Sequence, residues 1–212
     1  MYNKYFKHEK GITGLETAII LIAFVVVAAV FAYTALSAGL FSTQKAQEAV
    51  YSGLKEAQSS LELKGGVIAT ANNTGADGTI KQITFAVTNV LGGEPIDFTA
   101  PDAGATTGLA SGTKNKVVIN YIDQNQEVDN LYWTVTTMGA DNGNSLLDPG
   151  EKFQVTIGGN STTTGAGNLG NALHPALGIN KTFSIVIMTP AGAVVTIERT
   201  TPAYIDAIMN LR

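Results

Sequence analysis

The sequence predicts an α+β protein, one long N-terminal α-helix followed by an antiparallel β-sandwich. Two observations carry this. The chain from Thr17 to Gln44 has no charged residue, and its apolar character continues beyond that run at helical spacing. From Val67 onward the composition turns to Thr, Asn and Gly, with short runs that alternate apolar and polar.

The composition narrows the function classes. With 212 residues, 45% apolar and 14% charged, the chain suits one medium domain, or a small domain with an accessory element, and is too apolar to be disordered. It has no Cys, which excludes disulfide scaffolds, zinc fingers and thiol nucleophiles, and its two His exclude a histidine-rich metal site. Thirteen basic residues against 17 acidic ones is the wrong balance for coating nucleic acid, so no nucleic-acid partner is expected.

The helix comes first. The charge-free run of 28 residues would make a helix of roughly 42 Å, longer than the roughly 30 Å core of a bilayer. Between Leu15 and Phe41 it holds 14 Leu, Ile, Val or Phe residues, worth about −6 kcal/mol in sum on the membrane-insertion scale. Small residues recur through it, Ala28 and Ala29 among them, and small residues let helix backbones approach closely. Ahead of it lies MYNKYFKHEKG, with Lys4, Lys7 and Lys10 against a single Glu9, a leader that holds the N-terminus in the cytoplasm. The apolar run is too long for a discarded secretory signal. The small residue stands before it, at Gly11, so the arrangement suggests removal of the basic leader with the helix kept.

Beyond the apolar run, Ala46, Val50, Leu54, Ala57 and Leu61 form a stripe at helical spacing, and Lys64 followed by Gly65 and Gly66 reads as the helix end. A helix from Leu15 to Leu63 would be roughly 74 Å long. Nothing in a domain of this size could cover it, so it calls for several identical neighbours. The expected division is leader 1–11, helix 12–64 and outer β domain 65–212.

In the outer domain, Ile83, Phe85 and Val87, then Val117, Ile119 and Tyr121, then Trp133 and Val135, then Phe153, Val155 and Ile157 alternate as half-buried strands do. SIVIMTPAGAVVTIERT, Ser184 to Thr200, reads as a hairpin around Pro190, Ala191 and Gly192, its first strand apolar on both faces. Seven or eight short strands between Gly, Asn and Asp turns argue a sandwich of immunoglobulin-like type. Tyr132, Trp133 and Phe183 are expected in its core. The residues from Gly65 on carry 7 basic and 12 acidic side chains.

Lys7 to Val50, KHEKGITGLETAIILIAFVVVAAVFAYTALSAGLFSTQKAQEAV, resembles the N-terminus of archaeal flagellins (archaellins), which share leader and helix with the type IV pilin superfamily. The β-rich remainder with its closing TPAYIDAIMNLR is similar to the outer domain of that family, less specifically. The resemblance implies cleavage between Gly11 and Ile12 by a prepilin-type membrane peptidase. It also implies transient membrane insertion and lifting by an ATP-driven assembly platform into an extracellular, rotating motility filament. The filament's helices form its core, and the partners are further copies of this chain and other archaellins. Two other readings stand beside it: an adhesive pilin with the same core, and a membrane-anchored surface module that never polymerises.

Glu16 has two readings. Thr13 to Glu16 matches a capping box, in which the carboxylate serves the helix's own first amides. Alternatively it pairs with the new amino group of Ile12 on a neighbouring subunit, since an unpaired charge in an apolar core costs several kcal/mol. GAGNLG, Gly165 to Gly170, has dinucleotide-binding spacing but reads as loop, because Pro175 interrupts the required helix. Asp141, Asn144, Asp148 and Glu151 offer oxygens to a calcium ion, but their spacing departs from the EF-hand, and turns at Asn142, Gly143 and at Pro149, Gly150 account for them. No cofactor is expected, with calcium there as the minority reading. Asn72, Asn160 and Asn180 begin sequons and are candidate glycosylation sites. No enzyme is expected: His174 precedes a Pro in a loop, and no Ser lies in a nucleophile-elbow pattern.

Overall fold

A computed structural model describes residues 9–58, 61–90, 93–104, 107–140, 142–158 and 167–211, with the backbone alone for 9–13 and 56–58. The chain divides into two compact units, Met1–Ser52 and Gly53–Arg212.

The described residues of the first unit are helical. Helix α1, Glu9–Gln58, has 50 residues, about 75 Å at the standard rise, and Lys55 stands in its last turn. It meets no Pro, and no two of its glycines are adjacent, so nothing in the sequence breaks it. The start and end differ from expectation. The helix already runs at Glu9, which places Thr13 and Glu16 inside it in the full-length chain. It ends at Gln58, six residues before Lys64, and Leu61 to Lys64 belong to the first strand. LELK alternates as well as it coils, and pairing across to Ala86–Asn89 decides in favour of the strand. Gly65 is therefore not a helix cap. With φ of +80° it sits where the ladder shifts register between Lys64 and Ile68, a bulge that its missing Cβ allows.

The second unit is all but entirely β. Its strands are β1 (Leu61–Asn73), β2 (Thr79–Asn89), β3 (Ile96–Asp97), β4 (Asp102–Ala103), β5 (Ala110–Ser111), β6 (Val118–Asp123) and β7 (Glu127–Val128). They continue with β8 (Trp133–Met138), β9 (Leu146–Leu147), β10 (Lys152–Ile157), β11 (Thr182–Met188), β12 (Val194–Thr200) and β13 (Ile208–Leu211). A first sheet runs β13-β1-β2-β10-β8 and a second β12-β11-β6-β7, with β3-β9 and β4-β5 as two small pairs. All these pairings are antiparallel. The closing segment of the chain, as β13, lies beside β1 at the edge of the first sheet.

The core is the set of inward residues at period two. Ile83, Phe85 and Val87 of β2, and Phe153, Val155 and Ile157 of β10, are buried, as are Val117, Ile119 and Tyr121 at and within β6. Phe98 meets Trp133 edge-on at 5.8 Å and Phe153 at 5.9 Å, and Tyr121 stacks on Phe183 at 5.7 Å. Tyr132 departs from expectation: it is only half buried. Its neighbour Trp133 takes the inward position, so alternation turns Tyr132 away, and its ring lies over Gly167, where a Cβ would collide with it. Val135 is likewise half buried.

One turn of helix, α2 (Leu169–Ala172), was not expected. Asn168 caps it, its side chain accepting from the amide of Gly170 at 2.9 Å, and Leu169 is buried. The described part of the GAGNLG segment is thus a left-handed glycine, a cap and a short turn, and holds no βαβ unit.

A candidate assembly surface

The sandwich buries its own apolar residues, whereas every described side chain of α1 is exposed. Phe24, Phe31 and Tyr33 are 73%, 71% and 74% exposed; Phe24 and Phe31, seven residues apart, share one side of the axis and Tyr33 points to nearly the opposite one. The helix is long and apolar enough to cross a membrane over Gly14–Lys55. Its few polar side chains are made compatible with apolar surroundings locally. The hydroxyls of Thr17, Thr34 and Thr43 donate to the carbonyls of Gly14, Phe31 and Leu40, each three residues back, at 2.9 to 3.0 Å. That feature was missed in the sequence; a threonine isolated in an apolar helical run was its signal.

Ala28 and Ala29 lie in the middle of this surface and are both exposed. A glycine within a helix costs about 1 kcal/mol against alanine, yet a Cβ added at Gly39 would meet nothing within 4 Å. Glu16 is exposed near the start of the run, and no other charge follows until Lys45. Gly11 and Ile12 have helical backbone, but their side chains lie outside the described residues, as do Met1–His8.

The other sequence-predicted residues are scattered over the outer domain. Asn72 is exposed near the end of β1, and Asn180 is exposed at φ of +50°, its amide donating to the Pro202 carbonyl at 3.2 Å. Asn160 lies outside the described residues, and so does Asp141. In the remaining loop the Glu151 carboxylate accepts from the amides of Asn142 and Asp148 at 3.3 and 3.2 Å, and Asp148 accepts from the Asn142 side chain at 2.6 Å. The amide of Leu146 donates to Asn144 Oδ1 at 2.7 Å. These oxygens serve their own turns, with Gly143 and Gly150 in the left-handed conformation at the two expected places. Among the described residues no three His, Asp or Glu side chains are grouped as metal ligands. His174 is exposed, and its backbone amide donates to Gln126 Oε1 at 2.8 Å.

One titratable pair is perturbed. The Tyr121 hydroxyl donates to Asp123 Oδ2 at 2.8 Å. Burial, then that bond and the charge of Asp123, push the phenol above the usual tyrosine range. Partial burial pushes Asp123 up, but donors from Asn125, Tyr121 and Gln126 outweigh it and hold the carboxyl below its ordinary value. The pair ties β6 to its own turn.

A family model of archaeal-type flagellins matches residues 11–199. The chain is 37% identical to a probable flagellin 1 of Archaeoglobus fulgidus over 98% of both chains. A probable flagellin 2 of the same organism is 38% identical over 94% of this chain and 93% of its own. Among solved structures it is similar to the subunit of the archaeal flagellum of Methanospirillum hungatei strain JF1, at 29% identity, TM-score 0.60 and coverage of 93% of this chain and 98% of that one. A likeness in fold, at 15% identity and TM-score 0.51, extends to the flagellin FlaB1 of Methanocaldococcus jannaschii, over 71% of this chain and 95% of that one.

Proposed function

Because this chain belongs to the archaeal-type flagellin family and is a structural subunit of the archaeal flagellum filament, we propose that α1 serves twice, first as a membrane anchor and then as filament core. One observation carries this: a helix uncharged and apolar on every side from Thr17 to Gln44, with all its described side chains exposed. Such a helix needs surroundings that are apolar all round, either lipid or identical helices.

In this reading a prepilin-type peptidase cuts between Gly11 and Ile12, removing Lys4, Lys7 and Lys10 and leaving an amino group at Ile12. An ATP-driven platform then lifts the subunit from the membrane. Transfer from lipid to a helix bundle gains little hydrophobic energy, since both are apolar. Cohesion therefore rests on close packing at Ala28 and Ala29, on outer-domain contacts, and on Glu16 meeting the amino group of a neighbour's Ile12. The sequons at Asn72, Asn160 and Asn180 would carry glycans on the outside. The family is one of structural flagellins, and the chain's work is mechanical.

Mass spectrometry of the N-terminal peptide tests the reading, comparing sheared filaments with the membrane fraction. The expected result is a chain starting at Ile12 in the filaments, with Glu16→Gln lowering filament yield. A chain starting at Met1 and confined to membranes would overturn it, and an unchanged yield in Glu16→Gln would remove the intersubunit pairing.

A further inference from the structure

The two sheets of the outer domain differ in the face each turns outward. A sheet with one wet face alternates apolar inward and polar outward. The first sheet obeys at its centre: its registers set Thr84 of β2, Thr156 of β10 and Thr134 of β8 in one outward cross-strand row, with the Thr84 and Thr156 hydroxyls 3.4 Å apart, and its outward apolar side chains, Ile68, Ile208 and Met138, stand on β1, β13 and β8, to either side of that centre. The second sheet does not. Its registers align Val118, Met188 and Val194 in one outward row and put Val186 in the next, while Ile185, Ile187 and Ile197 fill the inward side. Val194 is 56% exposed, and Val118, Val186 and Met188 are partly so. From Ile185 to Met188 strand β11 is thus apolar on both faces, the pattern of a strand covered on both, yet among the described residues the outward Val186 and Met188 stay partly exposed.

Charge decides what does. The outer domain is acidic, with 12 acidic residues against 7 basic ones from Gly65 on, so copies of it repel one another over the screening length of about 10 Å. Their closest approach costs least where side chains are uncharged and apolar area is removed from water. The Val118–Met188–Val194 row has no charged residue in register; the acids stand on the margins, Glu127 opposite Ile122 and Glu198 opposite Ser184. In a filament a second copy is always within reach, at high effective concentration.

We propose that the outward face of the second sheet, centred on the Val118–Met188–Val194 row, is where the outer domain of a neighbouring copy of this chain docks in the filament. The proposal rests on the chain being a filament subunit. It adds which face of the outer domain makes the lateral contact, and it leaves the threonine face of the first sheet to solvent.

The absence of cysteine from the chain makes the test clean. Val194→Cys and, on the opposite outward face, Thr136→Cys are labelled with a maleimide in purified filaments whose only protein is this chain, and in detergent-extracted full-length subunits. The Val194→Cys thiol should label about tenfold or more slowly in filaments than in subunits, because it must await local opening of the contact. Thr136→Cys should label equally in both. Thr196→Cys, a neighbouring outward position on the same strand, is the second probe should Val194→Cys assemble poorly. Equal labelling of the β12 probes in both forms overturns the proposal. So does slow labelling already present in the subunit, which would place the cover within the chain, and so does equal protection of Thr136→Cys. Failure of the unsubstituted chain to yield filaments is a different result, striking the filament reading itself.

Discussion

Phenylalanine has opposite fates in the two units of this chain. Phe24 and Phe31 in α1 are 73% and 71% exposed, whereas Phe85 and Phe153 in the sandwich are 1% and 0% exposed. The residue type is the same, and what differs is whether the chain supplies a partner. The two sheets give each other an inner face to bury, so the outer domain closes its core by itself. From Thr17 to Gln44 the helix carries no charge and is apolar around its circumference, and its described side chains are all exposed. Leaving a large apolar side chain in water forgoes about 1.5–3 kcal/mol, repeated along four-fifths of a 50-residue helix. The outer domain closes its core in one copy; the described side chains of the helix stay exposed in one copy.

The largest expected effect tests that difference. Ala28→Trp or Ala29→Trp places an indole where helices must approach closely. Filaments should be lost, while the chain still fractionates with membranes, since tryptophan is tolerated in lipid. Normal filaments from either variant would break the contrast, because the helix would then need no close-packed neighbours.

A pair of phenylalanine truncations sharpens it. Phe98→Ala removes both edge-on ring contacts, to Trp133 and Phe153, and should cost the outer domain about 3–5 kcal/mol. Phe24→Ala should leave that domain's unfolding unchanged within about 0.5 kcal/mol. Denaturant unfolding of the detergent-solubilised full chain reads both, through the fluorescence of Trp133, the single tryptophan. Equal losses in the two variants would show that the helix contributes to the sandwich core.

The smallest effect concerns pH and only the outer domain. Tyr121 titrates higher folded than unfolded, so its contribution is fully present below about pH 10 and is lost as pH rises above it. Asp123 titrates lower folded than unfolded, so its contribution is present above about pH 4 and is lost as pH falls. Tyr121→Phe removes the ionisable phenol, and the drop in unfolding midpoint between pH 7 and pH 10.5 should become shallower than in the unsubstituted chain. An identical drop would mean that the pair does not link folding to pH, and membrane fractionation should not respond in either case.

Much of the architecture was legible because it is written in local period. A charge-free run between Glu16 and Lys45 has one stable outcome at that length, and no tertiary contact is needed to form it. The inward triplets Ile83, Phe85, Val87 and Phe153, Val155, Ile157 alternate strictly, and they are buried as the alternation requires. The segment from Ser184 to Thr200 formed the expected hairpin, β11 with β12. Ala28, Ala29 and Glu16 were singled out from the sequence, and the structure places all three exposed on α1.

Tertiary structure decided what local period leaves open. Leu61 to Lys64 satisfies a helix and a strand alike, and pairing with Ala86–Asn89, more than 20 residues away, ended the helix at Gln58 and made Gly65 a bulge. Tyr132 and Trp133 are both large aromatics; the register of β8 on β10, with Trp133 opposite Ile157, chose which faces inward. Strand order was likewise invisible, since β13 at the end of the chain pairs with β1 at the start of the domain. Two apolar faces on β11 could be read from its residues, but only the assembled sheets show that Val186 and Met188 on one of them stay partly exposed. A residue's preference for burial is local and belongs to the sequence; the partner that buries it is set by contacts between distant segments, and for α1 by contacts beyond the chain.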